Sequence, residues 1–131
     1  MRVMALDIGE KNIGVAISDN SKLIAIPYLV LKRDESFIEN ILKIIKEKNI
    51  DKIIAGMPYT LSGEKGKQAS ETIEFINYIK EKLNININII DERFSTKQVK
   101  YKLQHKKKES QKETDKYAAA IILENYLNKI K

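Results

Sequence analysis

The pattern of apolar and polar residues predicts three strands in the first quarter of the chain. Residues 2–8, 13–18 and 23–31 are apolar segments separated by the short polar turns 9–12 and 19–21. In the second segment bulky and small residues alternate, a period of two that is typical of a strand. Short turns between such segments favour hairpins. The chain is therefore predicted to begin with an antiparallel meander.

Proline interrupts the third of these segments at Pro27. Proline has no backbone N–H to donate to a neighbouring strand, so strands that contain it usually lie at the edge of a sheet. The third strand is therefore expected at one edge.

Helices and strands alternate in the rest of the chain. The short apolar run at residues 53–56 predicts the fourth strand, and the alternation of Asn and Ile over residues 84–90 predicts the fifth. A helix at about 65–83 separates them. Three further helices are predicted to begin at a serine that is followed three residues later by Glu or Gln, the signature of a capping box: Ser36, Ser95 and Ser110. The last of these helices runs to about residue 130.

The element order predicts an α/β fold with a five-stranded mixed sheet flanked by helices. Helical connections with the usual right-handed crossover place strands four and five parallel to strand one. With the proline-containing strand at an edge, the predicted strand order is 3-2-1-4-5. The carboxyl ends of strands one, four and five then face the same side, where sheets of this kind place their functional sites.

Three carboxylates lie where apolar elements end or begin. Asp7 is near the end of the first strand, Glu92 follows the fifth, and Asp115 lies early in the last helix. About 10 Å, two strand spacings, separates the positions of Asp7 and Glu92. Charges at such places are costly to desolvate unless a cation compensates them. Oxygen ligands favour Mg²⁺ or Mn²⁺. Asp91 remains an alternative to Glu92 as the second ligand.

Three acidic groups around a divalent metal suggest phosphodiester hydrolysis. In a two-metal scheme one ion generates the attacking hydroxide and the other stabilises the leaving oxygen, so no Ser, Cys or His nucleophile is needed. The alternative for each carboxylate is a structural role as a helix cap or a salt-bridge partner, above all for Asp115. The only histidine, His105, lies in a polar loop and is expected to be nonessential.

Composition limits the remaining possibilities. The 131 residues contain no cysteine, which excludes disulfides and thiolate metal sites. No apolar run in the sequence is long enough to span a membrane. We expect a single cytoplasmic domain over residues 1–131. The net charge of +6 is local: residues 93–116 hold nine Lys or Arg and three Asp or Glu. Such a segment suits a polyanionic partner such as nucleic acid, although a solvated lysine-rich loop is the simpler explanation.

Four motifs lie in register over nearly the whole chain: the opening segment 5–19, the Gly56-Met57-Pro58 loop with Ser62-Gly63, the segment 91–96, and Asp115 followed by two alanines. Together they resemble the YqgF/RuvX family of bacterial proteins. The resemblance implies a ribonuclease H-like fold related to Holliday-junction resolvases. It also implies a cytoplasmic nuclease that processes the 5′ end of pre-16S ribosomal RNA, with metal ligands at Asp7, Glu92 and Asp115.

This chain departs from the pattern of these proteins at two places. Related resolvases carry an acidic residue at the end of the fourth strand, where this chain has Gly56, so the second ligand is expected from the Asp91-Glu92 pair. Glu10 and Asn12 stand where many family members have Thr and Arg, which is expected to weaken phosphate contact at the first turn.

Basic residues near these carboxylates are candidates for contacts with nucleic acid: Lys11, Arg93, Lys106, Lys107 and Lys108. Lys11 lies between two glycines that let backbone amides approach a phosphate, or that simply form a tight hairpin. The guanidinium of Arg93 can donate two hydrogen bonds to a phosphate, or it can pair with Asp91. The expected partner is structured RNA or branched DNA, and the expected state is a monomer or a weak homodimer. A nucleic-acid-binding module without catalysis is the alternative from another class of function.

Overall fold

The computed structural model describes residues 1–56, 67–90 and 111–130, and it describes the side chains of all of these except 67–69 and 111–115. Five strands and three helices lie in the described part of the chain: β1 (Arg2–Ile8), β2 (Asn12–Ser18), β3 (Ala25–Lys32), α1 (Phe37–Glu47), β4 (Ile50–Gly56), α2 (Lys67–Leu83), β5 (Ile87–Ile90) and α3 (Gln111–Ile130). The helix predicted to begin at Ser95 lies outside the described residues. None of the described helices combines the length and hydropathy that a membrane crossing requires.

The strands form one mixed sheet in the order β3-β2-β1-β4-β5, which confirms the predicted topology. β1 pairs antiparallel with β2, and β2 antiparallel with β3. β1 pairs parallel with β4, and β4 parallel with β5. Leu6 is level with Ala55, and Gly56 is level with Ile90. The three parallel strands therefore end side by side, and we call this side the carboxyl end of the sheet.

The edge position of β3 is also confirmed. Val15 is level with Leu29 and Ala16 with Pro27, so β3 holds one extra residue, Tyr28, between the two pairs. Such a bulge beside a proline is common at sheet edges.

β3 begins at Ala25, two residues later than the apolar run predicts. The carboxylate of Asp19 accepts the backbone N–H groups of Leu23 and Ile24 at 2.8 and 3.0 Å. These two apolar residues therefore belong to the turn, and their side chains are exposed. The same hydrogen bonds hold the pKa of Asp19 below its usual value.

Alternating residues of β1 face two separate apolar clusters. Met4 and Leu6 belong to the cluster that α1 and α2 cover. Val3 and Ala5 belong to the cluster that α3 covers. Because the sheet is covered on both faces, β1 is buried along most of its length.

The start of α1 differs from the predicted capping box. Ser36 makes no side-chain cap hydrogen bond. Its backbone N–H and its hydroxyl donate instead to the carboxylate of Asp34, at 2.9 and 2.5 Å, and these contacts lower the pKa of Asp34. The backbone N–H of Ser36 thus bonds to Asp34 rather than to Glu39, the acceptor that a capping box requires.

β5 is shorter than predicted, since it begins at Ile87. Asn84 has a positive φ of 51° and donates its N–H to the carbonyl of Lys80 at 3.0 Å. Asn84 therefore ends α2 in the left-handed conformation that asparagine tolerates. The alternating Asn and Ile pattern begins in this cap rather than in the strand.

The buried hydroxyl of Ser18 provides a first prediction. It accepts the backbone N–H of Val3 at 2.9 Å and donates to the carbonyl of Asp19 at 2.9 Å. In the Ser18→Ala variant the buried N–H of Val3 loses its partner, so we expect a loss of about 1–3 kcal/mol in unfolding free energy. Urea denaturation measures this loss. The matched change at the exposed Ser70 should not lower stability, and equal effects at both positions would contradict the assignment.

Candidate functional site

Asp7 lies at the carboxyl end of the sheet, one residue before the end of β1. It is partly exposed, whereas the four residues before it are buried. Successive residues of a strand point to opposite faces, so Asp7 shares its face with Val3 and Ala5, which α3 covers. The predicted position at the end of the first strand is therefore confirmed, although the role of Asp7 as a metal ligand stays a prediction.

The path of α3 brings its first turns toward Asp7. Ile122 packs directly on Gly56, the last residue of β4. One turn later, the ring of Tyr126 lies 5.1 Å from the ammonium of Lys52, near the start of the same strand. The helix therefore runs from the carboxyl end of the sheet toward the opposite end. It contacts β1, β2 and β3 more extensively than β4.

Asp115 lies in the early part of α3, as predicted. It precedes the buried Ala119 by one turn and Ile122 by about 10 Å of helix axis. The backbone of this part of α3 is thus at the side of the sheet where Asp7 lies. The side chain of Asp115 is not among those described.

The second predicted ligand lies just beyond the described part of β5. The described part of β5 ends at Ile90, level with Gly56 at the carboxyl end of the sheet, and Asp91 and Glu92 follow in the sequence. Arg93 and Lys106–Lys108 also lie outside the described residues. Among the side chains described, no three His, Cys, Asp or Glu residues converge on a metal position. The cluster of three carboxylates remains a prediction.

The turn after Asp7 is closed by short backbone contacts. Gly9 donates its N–H to the carbonyl of Asn12 at 2.9 Å. A Cβ on Gly9 would lie 2.8 Å from that carbonyl oxygen, so only glycine fits without a shift. The structure thus supports the tight-hairpin explanation for Gly9, and Lys11 projects from this turn in an exposed position.

Arg33 was missed by sequence reasoning, because nothing in its local pattern distinguishes it from other surface cations. Its Nη1 donates to the carbonyl of Gly9 at 3.0 Å, and its backbone N–H donates to the carbonyl of Lys11 at 2.9 Å. Its guanidinium lies 4.2 Å from the ring centroid of Phe75 on α2. Beside it is an open cavity of about 650 Å³, lined by Glu10, Arg33, Glu71, Glu74 and Phe75.

Gly56, at the end of β4, leaves no side chain at a position where an acidic residue could otherwise face the site. A Cβ at this position would lie 2.7 Å from Cδ1 and 3.1 Å from Cγ1 of Ile122. Ile122 is 1% exposed, so its side chain has little room to move. The helix fills the space that a side chain at the end of β4 would occupy.

A double-mutant cycle tests this contact. Gly56→Ala is expected to reduce unfolding free energy by about 1–3 kcal/mol, the usual cost of overpacking a buried position. Ile122→Val removes Cδ1, so adding it to Gly56→Ala should cost less than the sum of the two single changes. Chemical denaturation of all three variants measures the coupling, and strict additivity would contradict the contact.

Comparison with known proteins identifies relatives along nearly the whole chain. The model of the RuvX family, described as Holliday junction resolvase, matches residues 1–129. A protein of Sulfurihydrogenibium sp. is 41% identical over 132 residues, which cover 98% of this chain and 91% of the relative. A protein of Thermoanaerobacter pseudethanolicus is 40% identical over 134 residues, covering 98% and 96%. Both carry the provisional name pre-16S rRNA nuclease.

Solved structures of resolvases share the fold. RuvC of T. thermophilus in complex with a Holliday junction substrate superposes with a TM-score of 0.58 at 13% identity, covering 99% of this chain and 95% of that one. The Fowlpox virus Holliday junction resolvase gives 0.54 at 19% identity, with both chains fully covered. The mixed sheet and its helices are thus ribonuclease H-like, and the chain belongs to the RuvX family of nucleases.

Proposed function

We propose that this protein is a divalent-metal-dependent endonuclease that processes the 5′ end of pre-16S ribosomal RNA. The observation that carries the proposal is the position of Asp7. It lies at the carboxyl end of the sheet, on the face that α3 covers. The names of relatives at 40–41% identity support the choice of RNA as substrate.

The proposed metal ligands are Asp7, Glu92 and Asp115, with Asp91 as the alternative to Glu92. Carboxylate oxygens suit Mg²⁺ or Mn²⁺, and the partial exposure of Asp7 leaves it accessible to an ion. The backbone supports this set, because β5 ends level with β4 and α3 begins at the same side of the sheet. A bound divalent ion would activate water and stabilise the leaving oxygen.

Contacts with the RNA backbone are proposed for Lys11, Arg93, Lys106, Lys107 and Lys108. Lys11 is exposed on the turn that follows Asp7. The other four belong to the segment that holds the whole net positive charge. Lysine and arginine contacts with phosphates position a nucleic acid without reading its sequence. Binding should therefore weaken steeply as the salt concentration rises.

Resolution of branched DNA is the second candidate function. It is favoured by the description of the family as Holliday junction resolvase and by the fold shared with resolvases. Resolution requires two coordinated cuts and hence two copies of the chain. A protein that stays strictly monomeric in light scattering, with and without junction DNA, would count against this function.

The deciding experiment offers both substrates to the same protein. A pre-16S RNA that contains the 5′ leader and a four-way DNA junction are incubated with Mg²⁺, Mn²⁺ or EDTA. We expect metal-dependent cleavage of the RNA at one site and none in EDTA. A mature 16S 5′ fragment without the leader is the control and should remain intact. Binding of RNA without cleavage in every metal would instead support a binding module.

Matched amide variants separate the two neighbouring acids after β5. Glu92→Gln should abolish cleavage, whereas Asp91→Asn should leave most of it if Glu92 is the ligand. The opposite result would assign the ligand to Asp91. Cleavage at the wild-type rate in Asp7→Asn, Glu92→Gln and Asp115→Asn alike would contradict the proposed metal site.

A further inference from the structure

Arg33 connects three parts of the molecule at the carboxyl end of the sheet. Its side chain and its backbone each bond to the turn that joins β1 and β2, at the carbonyls of Gly9 and Lys11. Its guanidinium stacks on Phe75 of α2. Phe75 in turn packs on the buried Phe37 of α1, with 5.6 Å between the ring centroids. The turn is thus tied to a rigid part of the core.

The turn follows Asp7 closely in the sequence. Arg33, however, contacts this turn from the face of the sheet opposite to that of Asp7. Gly9 follows Asp7 by two residues, a span of at most about 7 Å. Phe75 packs against the cluster that α1 and α2 cover, whereas Asp7 shares its face with the cluster under α3. This placement suits support of the backbone better than contact with a substrate bound at Asp7.

We propose that Arg33 is a positioning residue, which fixes the turn that carries Lys11 and follows Asp7. The inference rests on the proposed nuclease function. Arginine suits this position because its planar guanidinium can stack on an aromatic ring and donate a hydrogen bond at its rim. Lysine keeps the charge but loses the planar stacking. Methionine keeps much of the stem and loses both the charge and the donor.

The experiment measures the turn and the reaction separately. Arg33→Lys and Arg33→Met are compared with the wild type by NMR hydrogen exchange at the amide of Gly9, which is bonded to the carbonyl of Asn12. We expect exchange at Gly9 to become faster by about tenfold or more in Arg33→Met, and less in Arg33→Lys. The amide of Val3, near the start of β1, donates to the hydroxyl of Ser18. It is the internal control, and its exchange should not change.

Cleavage kinetics then test the consequence for the site. Loss of a group that orients a metal ligand costs about 10–100-fold in activity. We expect a fall of that size in kcat for Arg33→Met and a smaller fall for Arg33→Lys. Because the turn also carries Lys11, KM should rise as well. Lys32→Ala is the matched control, because it removes a neighbouring exposed charge and should leave kcat unchanged.

Three results would overturn the proposal. The first is unchanged exchange at Gly9. The second is a rise in KM with a weaker salt dependence and an unchanged kcat that persists when Lys11 is replaced by alanine, since that would identify Arg33 as a direct contact with the RNA backbone. The third is faster exchange without any fall in kcat. If the wild type cleaves neither substrate, the proposed function fails, and exchange at Gly9 alone still decides whether Arg33 fixes the turn.

Discussion

Replacement of Asp7 by asparagine is expected to lower the rate of RNA cleavage by about 10²–10³-fold, the range seen when one electrostatic stabiliser of a transition state is removed. The change keeps the size of the side chain and removes its negative charge. Asp7 is partly exposed at the end of β1, so the variant should fold normally. Single-turnover cleavage with saturating enzyme measures the chemical step apart from RNA binding.

The control for this prediction is Asp51→Asn. Asp51 is exposed near the start of β4, at the opposite end of the sheet, and its carboxylate lies 3.4 Å from the ammonium of Lys22. Exposed ion pairs contribute little to stability, and this one is far from the proposed site. We expect wild-type cleavage by Asp51→Asn. Equal rates in the Asp7 and Asp51 variants would exclude Asp7 as a metal ligand.

Truncation of Leu123 to alanine is expected to reduce the unfolding free energy by about 3–5 kcal/mol, because it leaves a cavity in the core. Leu123 is fully buried between α3 and the sheet, in the cluster with Val3 and Ala5. For a chain of this length the melting temperature should fall by about 10 °C or more. Because α3 carries Asp115, cleavage should also become more sensitive to temperature.

Leu23→Ala is the matched control for this second prediction. Leu23 lies in the turn before β3 and is 55% exposed. The same truncation there should change stability by no more than about 0.5 kcal/mol. Calorimetry of both variants provides the comparison. A small effect at Leu123 would mean that α3 is not held by this cluster, and would weaken the argument that the helix brings Asp115 to the site.

The strand order of the sheet could be predicted because a few residues strongly restrict where each strand can lie. Pro27 cannot donate to a neighbouring strand, and it lies at the edge as expected. Short turns require the first three strands to form a meander, and helical crossovers require the other two to be parallel. These local rules together leave few alternatives. The topology of the sheet therefore follows from the sequence without knowledge of any tertiary contact.

Features that depend on competition between neighbours were not predictable in this way. Ser36 matches the capping pattern, yet its hydroxyl donates to Asp34 instead. Asn84 matches a strand period, yet it ends α2. In both cases two local patterns overlap, and the packed structure decides between them. The periodicity of a sequence does not give the energies of the competing contacts, and these energies decide which of the two patterns is realised.

The candidate site likewise contains one residue that the sequence could locate and one that it could not. Asp7 could be located because it ends an apolar run in the centre of the sheet. Arg33 could not, because its partners Gly9 and Phe75 are 24 and 42 positions away in the sequence. Its importance comes only from tertiary contacts. The assignment of Glu92 rests on sequence and on the direction in which β5 ends.

The contact between Gly56 and Ile122 has a consequence for how such sites diversify. Any side chain at the end of β4 would place its Cβ 2.7 Å from Cδ1 of Ile122. An acidic residue at position 56 therefore requires Ile122 to shift or to be replaced by a smaller residue. Redesign of the ligand set at this end of the sheet has to treat positions 56 and 122 as a pair.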